Sequence, residues 1–202
     1  MRITLNNDLV EIDDEIVSGI KLLNDKGWRT DFSCAGHYNS EDKYPFSFPY
    51  VSFDYLSNNR FFTLFEKVPE SVFESFDVEI VIMGKNNDIP IFPTWADIEI
   101  DIGEKLLSGK FINSSLDQTE PYRQLVINVK SLKDITAIRE KNFGLTGKMY
   151  SVILRSHNEK EMRDIVDEDI RSESSKERFM HMLFQFRTGL YELANELPNI
   201  RS

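Results

Sequence analysis

Ile12-Asp13-Asp14-Glu15-Ile16-Val17-Ser18-Gly19-Ile20-Lys21-Leu22-Leu23-Asn24-Asp25-Lys26-Gly27-Trp28-Arg29-Thr30-Asp31-Phe32-Ser33-Cys34-Ala35-Gly36-His37-Tyr38, then a polar loop and Pro49-Tyr50-Val51-Ser52-Phe53-Asp54-Tyr55, is the stretch on which the fold turns. Ile12, Ile16, Ile20 and Leu23 recur at spacings of four, four and three, which places them on one side of a helix. Asp13 stands where an N-cap is expected, with Asp14 and Glu15 favourably placed against the positive end of the helix dipole. Gly27 can take the left-handed conformation that ends a helix. Trp28–Phe32 then reads as a short extended segment and Ser33–His37 as a tight turn. Residues 39–49 read as a loop, and Tyr50–Tyr55 as a strand with Val51, Phe53 and Tyr55 on one face.

Working outward, Arg2–Leu5 alternates and reads as a short strand. Asn59–Val68 predicts a short helix, with Val72, Phe73 and Phe76 in the connection that follows. Asp77–Met83 alternates as a strand. Gly84–Asp88 is a strong turn signal, and Ile89–Trp95 returns as a strand whose prolines suit a sheet edge. Asp97–Ile102 has a strict period of two, with an acidic outer face. Residues 103–121 read as loop with a helical turn. Tyr122–Val129 is a strand, Ser131 caps a helix to Lys141, and Met149–Arg155 is a final strand. Asn158 with Glu161, and Ser174 with Glu177, have capping-box spacing at the heads of two helices. In the second, over 175–197, Phe179, Leu183, Phe186, Leu190, Leu193 and Leu197 form a stripe that packs a long helix across a sheet. A coiled-coil dimer is the rarer use of such a stripe.

The class is therefore α+β: a mixed, largely antiparallel sheet packed by an N-terminal helix and a long C-terminal helix. One domain over 1–202 is expected, and two interlocked halves would divide near 85–89 or 108–119.

At 202 residues the chain can bury a full core. Its 41% hydrophobic and 29% charged content is that of a folded globular protein and excludes a disordered one. No apolar run approaches the roughly 20 residues of a membrane helix, and the first residues lack the apolar segment of a secretory signal. With Cys34 as the one cysteine there is no disulfide framework, which fits a reducing compartment, so a cytoplasmic protein is expected. The net charge of -10, without runs of Lys or Arg, disfavours direct nucleic-acid binding. An acidic surface serves solubility; it also suits a protein-binding inhibitor that mimics nucleic acid.

Ser33–His37 is the first place to look for chemistry. Small residues after a strand end can leave backbone N–H groups open as an anion nest, and Ala35 and Gly36 allow close approach. A tight turn can bring the Cys34 thiol to the His37 imidazole, which would make Cys34 a nucleophile and His37 its acid–base partner. The plain alternative is that Cys34 is a small buried hydrophobe and His37 ties down the loop. Arg155 and His157, between a strand end and a helix start, sit where anionic groups are often received. With Ser33, Ala35, Gly36 and Tyr50 they complete a candidate pocket for a small anionic or nucleotide-like ligand. A zinc site from Cys34, His37, His157 and His181 is not expected, because only the first two are neighbours in sequence. Asp97, Glu99 and Asp101 splay along a strand about 7 Å apart and read as a solvated face. GxGxxG, Walker, GxSxG and HExxH motifs are absent. The residues name no cofactor.

Asp14-Glu15-Ile16-Val17, Leu22-Leu23, Trp28 and Ser33-Cys34-Ala35-Gly36-His37, followed by a strand, resemble a group of uncharacterised bacterial and phage proteins with a helix–Ser-Cys-x-Gly-His–strand opening. More distantly, they are similar to the opening of the third-step wybutosine-synthesising methyltransferases, where the turn reads Ser-Cys-Ser-Gly-Arg. That resemblance implies S-adenosylmethionine and a tRNA base. Ala35 and His37 depart from the methyltransferase pattern, the likeness is confined to Ile12–Tyr55, and the acidic charge runs against a tRNA substrate.

Overall fold

The computed structural model describes residues 2–5, 8–38, 46–85, 95–103, 105–114, 122–169 and 172–201. In chain order its elements are β1 (Arg2–Leu5), β2 (Asp8–Glu11), α1 (Val17–Asp25), β3 (Thr30–Cys34), β4 (His37–Tyr38), β5 (Phe46–Ser47), β6 (Tyr50–Phe53), β7 (Leu56–Ser57), α2 (Asn58–Phe65) and α3 (Val72–Ser75). There follow β8 (Phe76–Lys85), β9 (Trp95–Asp101), β10 (Leu106–Ser114), β11 (Tyr122–Val129), α4 (Leu132–Glu140), β12 (Thr146–Ser156), α5 (Glu159–Asp169) and α6 (Glu173–Glu196). The class is α+β, with a large antiparallel sheet of eight strands among the described residues and helices toward both ends. No described helix is long and apolar enough to cross a membrane.

The chain forms two compact units: Met1–Phe53 with Glu74–Phe76 and Leu154–Ser202, and Asp54–Phe73 with Asp77–Ile153. The crossings thus fall away from the 85–89 and 108–119 stretches. The expected strand Ile89–Trp95 lies, but for its last residue, outside the described residues.

In the first unit, α1 buries Ile20 and Leu23, with Ile16 at its head, as the spacing requires. The helix starts later than expected, and Asp13 is not its cap: the N-cap is Ile16, without a side-chain hydrogen bond. The Asp13 carboxylate is used elsewhere, accepting the Ala35 N–H at 2.7 Å. Gly27, at φ +94°, ends the helix. Beyond it, Lys26 Nζ donates to the carbonyls of Asn195 and Leu197 at 2.6 and 2.7 Å, supplying a cation to the C-terminal end of α6. Trp28 Nε1 donates to the Pro198 carbonyl at 2.8 Å, so the chain's last residues are strapped to the end of α1. The apolar stripe of α6 is buried from Phe179 to Leu197. Its N-cap is Ser172 rather than Ser174, accepting the Ser175 N–H at 3.2 Å. Met162, Ile165, Phe179, Met182 and Leu183 form a core cluster against which Tyr38, Phe46 and Phe48 pack.

In the second unit, β8 and β11 pair Val78 with Val129, Ile80 with Ile127 and Ile82 with Leu125. All six side chains are buried, which makes this the apolar seam that period-two alternation demands. Within 103–121 the described residues correct the loop expectation: Leu106–Ser114 is a strand, paired with β9 on one side and β11 on the other, while 104 and 115–121 lie outside the described residues. Gly109 interrupts its alternation for a packing reason. A Cβ there would lie 2.8 Å from the Val126 carbonyl oxygen, so only glycine admits the neighbouring backbone. Tyr150 stacks on Phe61 at 5.3 Å and meets Phe62 edge-on at 5.2 Å.

Two buried polar groups differ in how they are satisfied. Ser131 caps α4 through the Asp134 N–H at 3.3 Å, and Asp134 itself is buried. Its carboxylate meets Lys105 Nζ at 2.5 Å and accepts the Lys130 N–H at 2.8 Å. Burial alone would push this carboxyl up, but the hydrogen bond and charge of Lys105, with the Lys130 and Ser131 bonds, hold it below its ordinary value of 3.8. A folded-state value below the unfolded one contributes stability above pH 3.8, and that contribution is lost as pH falls through the depressed value. Asp134→Asn is therefore expected to cost about 2 kcal/mol at neutral pH and to flatten stability at acid pH, measured by urea unfolding. The Tyr150 hydroxyl, by contrast, is buried and has no hydrogen-bond partner. Desolvation pushes its phenol up. Tyr150→Phe removes that cost and is expected to melt no lower than wild type, whereas Tyr150→Ala should cost about 4 kcal/mol by emptying the aromatic cluster.

Candidate functional site

The turn singled out in the sequence joins two short antiparallel pairings in the first unit. Before it, β3 pairs with β6, Ser33 opposite Val51 and Cys34 opposite Tyr50. After it, β4 pairs with β5, His37 opposite Ser47 and Tyr38 opposite Phe46. Gly36 has φ +70°, and a Cβ there would meet Leu183 Cδ2 at 2.4 Å and Pro49 Cδ at 3.0 Å. Left-handed backbone and lack of room both demand glycine.

The polar backbone of the turn is held from two sides. The Ala35 N–H is taken by Asp13, and the His37 N–H donates to Ser47 Oγ at 3.2 Å. Arg187 Nε donates to the Ala35 carbonyl at 3.2 Å and its Nη2 to the Gly36 carbonyl at 2.8 Å. Glu15 lies 3.8 Å from the same Nη2. Two of the amides expected to stand open to an anion are thus already committed, and Ala35 and Gly36 are buried. Their contribution is to shape the turn.

The side chains remain available at its rim, where Ser33 and Cys34 are half-buried and His37 is exposed. Cys34 and His37 are brought together through a third residue. Cys34 Sγ lies 3.3 Å from Ser47 Oγ, which lies 2.9 Å from His37 Nδ1. Ser47 was not identified in the sequence, because only the β4–β5 pairing places it opposite His37. The small polar residue between Phe46 and Phe48 is the one signal the sequence carries.

Tyr50, opposite Cys34, lies under Arg155, whose Cζ is 5.9 Å from the ring centroid. Arg155 Nη1 is 3.8 Å from Glu159 Oε2, and Arg163 Nε donates to the other oxygen of that carboxylate at 3.0 Å. Arg163 also stands 4.2 Å over the Phe48 ring. Glu159, in the first turn of α5, is thus one anion that Arg155 meets among the described residues, and sequence reading missed it. His157 is exposed just past β12. His181 is exposed on α6. No group of three or more His, Cys, Asp or Glu among the described residues is placed to hold a metal ion. Asp97, Glu99 and Asp101 are exposed on β9, in the other unit.

Gly36→Ala is expected to cost about 3 kcal/mol in urea unfolding, since it adds a clash to a left-handed backbone. No protein-family model matches the chain, and neither a curated protein nor a solved structure does.

Proposed function

We propose that this protein binds a small anionic or nucleotide-like ligand at the rim of the Ser33–His37 turn. The observation that carries this reading is Arg155 over the Tyr50 ring, opposite the Cys34 strand end. A guanidinium held over an aromatic face is pre-oriented for a phosphate or carboxylate, and Tyr50 offers an apolar surface to a base. Ser33 and His37 supply further donors. With the turn amides engaged, the ligand's charge falls to Arg155, in competition with Glu159. The reading includes no membrane and no direct nucleic-acid contact.

A second reading, an enzyme of transferase or hydrolase type, is favoured by the contact chain from Cys34 through Ser47 to His37. It requires turnover that Cys34→Ala or His37→Ala abolishes while the fold survives.

Thermal shift against ATP, inorganic phosphate and S-adenosylmethionine tests the binding reading. A probe at 100 times its dissociation constant should add about 2.7 kcal/mol to wild type, and Arg155→Gln and Tyr50→Ala should lose that gain. Stabilisation by no probe would sink this reading and favour a protein-binding role for the acidic surface.

A further inference from the structure

The bonding capacity of Ser47 limits how the three side chains at the turn can share protons. A serine hydroxyl has one proton to give and two lone pairs with which to accept. One lone pair takes the His37 N–H at 3.2 Å. The contacts to Cys34 Sγ at 3.3 Å and His37 Nδ1 at 2.9 Å must then be one donation and one acceptance. Two arrangements that differ only by passage of a proton along the chain satisfy every group. In one, the Cys34 S–H donates to Ser47 and the Ser47 O–H donates to His37 Nδ1. In the other, the Ser47 O–H donates to a Cys34 thiolate and a protonated Nδ1 donates to Ser47.

We propose that Ser47 relays the Cys34 proton to His37 Nδ1, making Cys34 an acyl-accepting nucleophile toward activated esters or thioesters. The proposal rests on the enzyme reading of the turn. The relay is balanced: sulfur loses one proton, Ser47 gains one and gives one, and the imidazole gains one. The resulting thiolate has a second donor in the Gly36 N–H, 3.4 Å from Sγ. In the acyl step a bond forms between Sγ and the carbonyl carbon, the bond from that carbon to the leaving group breaks, and the imidazolium returns its proton to the leaving atom. Cys34 and Ser47 are half-buried and His37 exposed, so an electrophile from solvent can reach the chain. Ser47 is here a positioning residue, with the covalent bond made at Cys34.

Alkylation of Cys34 by iodoacetamide, followed by intact mass, reads the relay in the folded chain. Ser47→Ala and His37→Ala each break the path by which the thiol gives up its proton, and each should slow alkylation about tenfold. The double variant should be no slower than either, because the two residues act in series. Ser47→Thr keeps the hydroxyl and should react like wild type. If Ser47→Ala fails to fold, His37→Ala against Ser47→Thr decides. Alkylation of Ser47→Ala at the wild-type rate, or single effects that multiply in the double variant, would overturn the relay. Incubation with p-nitrophenyl acetate separates the relay from the enzyme reading. Acetylation of Cys34 that needs Ser47 supports both. Acetylation indifferent to Ser47 overturns the relay and leaves the enzyme reading standing. Relay-dependent alkylation with no acetylation overturns the acyl-accepting role and the enzyme reading with it.

Discussion

The first unit depends on a chain reversal gripped at both kinds of backbone group. Asp13 holds the Ala35 amide, and Arg187 holds the carbonyls of Ala35 and Gly36. A buried turn cannot leave such groups unpaired without a penalty of about 1–3 kcal/mol each. Charged partners from the segment before α1 and from α6 therefore hold the turn from two separate parts of the chain. Gly36 completes the constraint, because the space of a Cβ belongs to Leu183 and Pro49. The segment before α1, the turn and α6 are locked together, and the orientation of α6 follows.

That grip also sets the chemical character of the rim. With the backbone of the turn satisfied internally, what faces outward is side-chain chemistry: a thiol, a hydroxyl and an imidazole in hydrogen-bond contact, beside a guanidinium over a ring. The arginines here are not a basic patch. Arg155 and Arg163 share the Glu159 carboxylate, each over an aromatic ring from the 46–50 segment. The pairing offsets one negative charge locally in a protein whose net charge is -10.

The second unit follows simpler rules. Its β8–β11 seam is an unbroken run of opposed aliphatic side chains, and its aromatic cluster gathers around Tyr150. Asp134 shows how a buried charge is tolerated, with a lysine, a backbone amide and a capping serine all converging on it. The Tyr150 hydroxyl shows the opposite, a polar atom retained inside for the sake of its ring.

Periodicity by itself determined a great deal. The helix stripes of α1 and α6, the strands around Val78–Ile82 and Tyr122–Val129, and the glycine stop at Gly27 follow from local spacing, because burial of one face imposes a period of two or near 3.6. The Ser33–His37 turn was legible for the same reason: small residues at a strand end have few other uses. Tertiary structure alone decided the rest. Leu106–Ser114 reads as loop until two neighbouring strands pair with it, and Gly109 makes sense only against the Val126 carbonyl. Asp13 looks like a cap until a partner 22 residues away claims its carboxylate. Arg187 carries no local signature, since its contacts to the turn are made from 151 and 152 residues away, and Ser47 gains its role only when the β4–β5 pairing sets it opposite His37; distance in sequence hides what proximity in space creates.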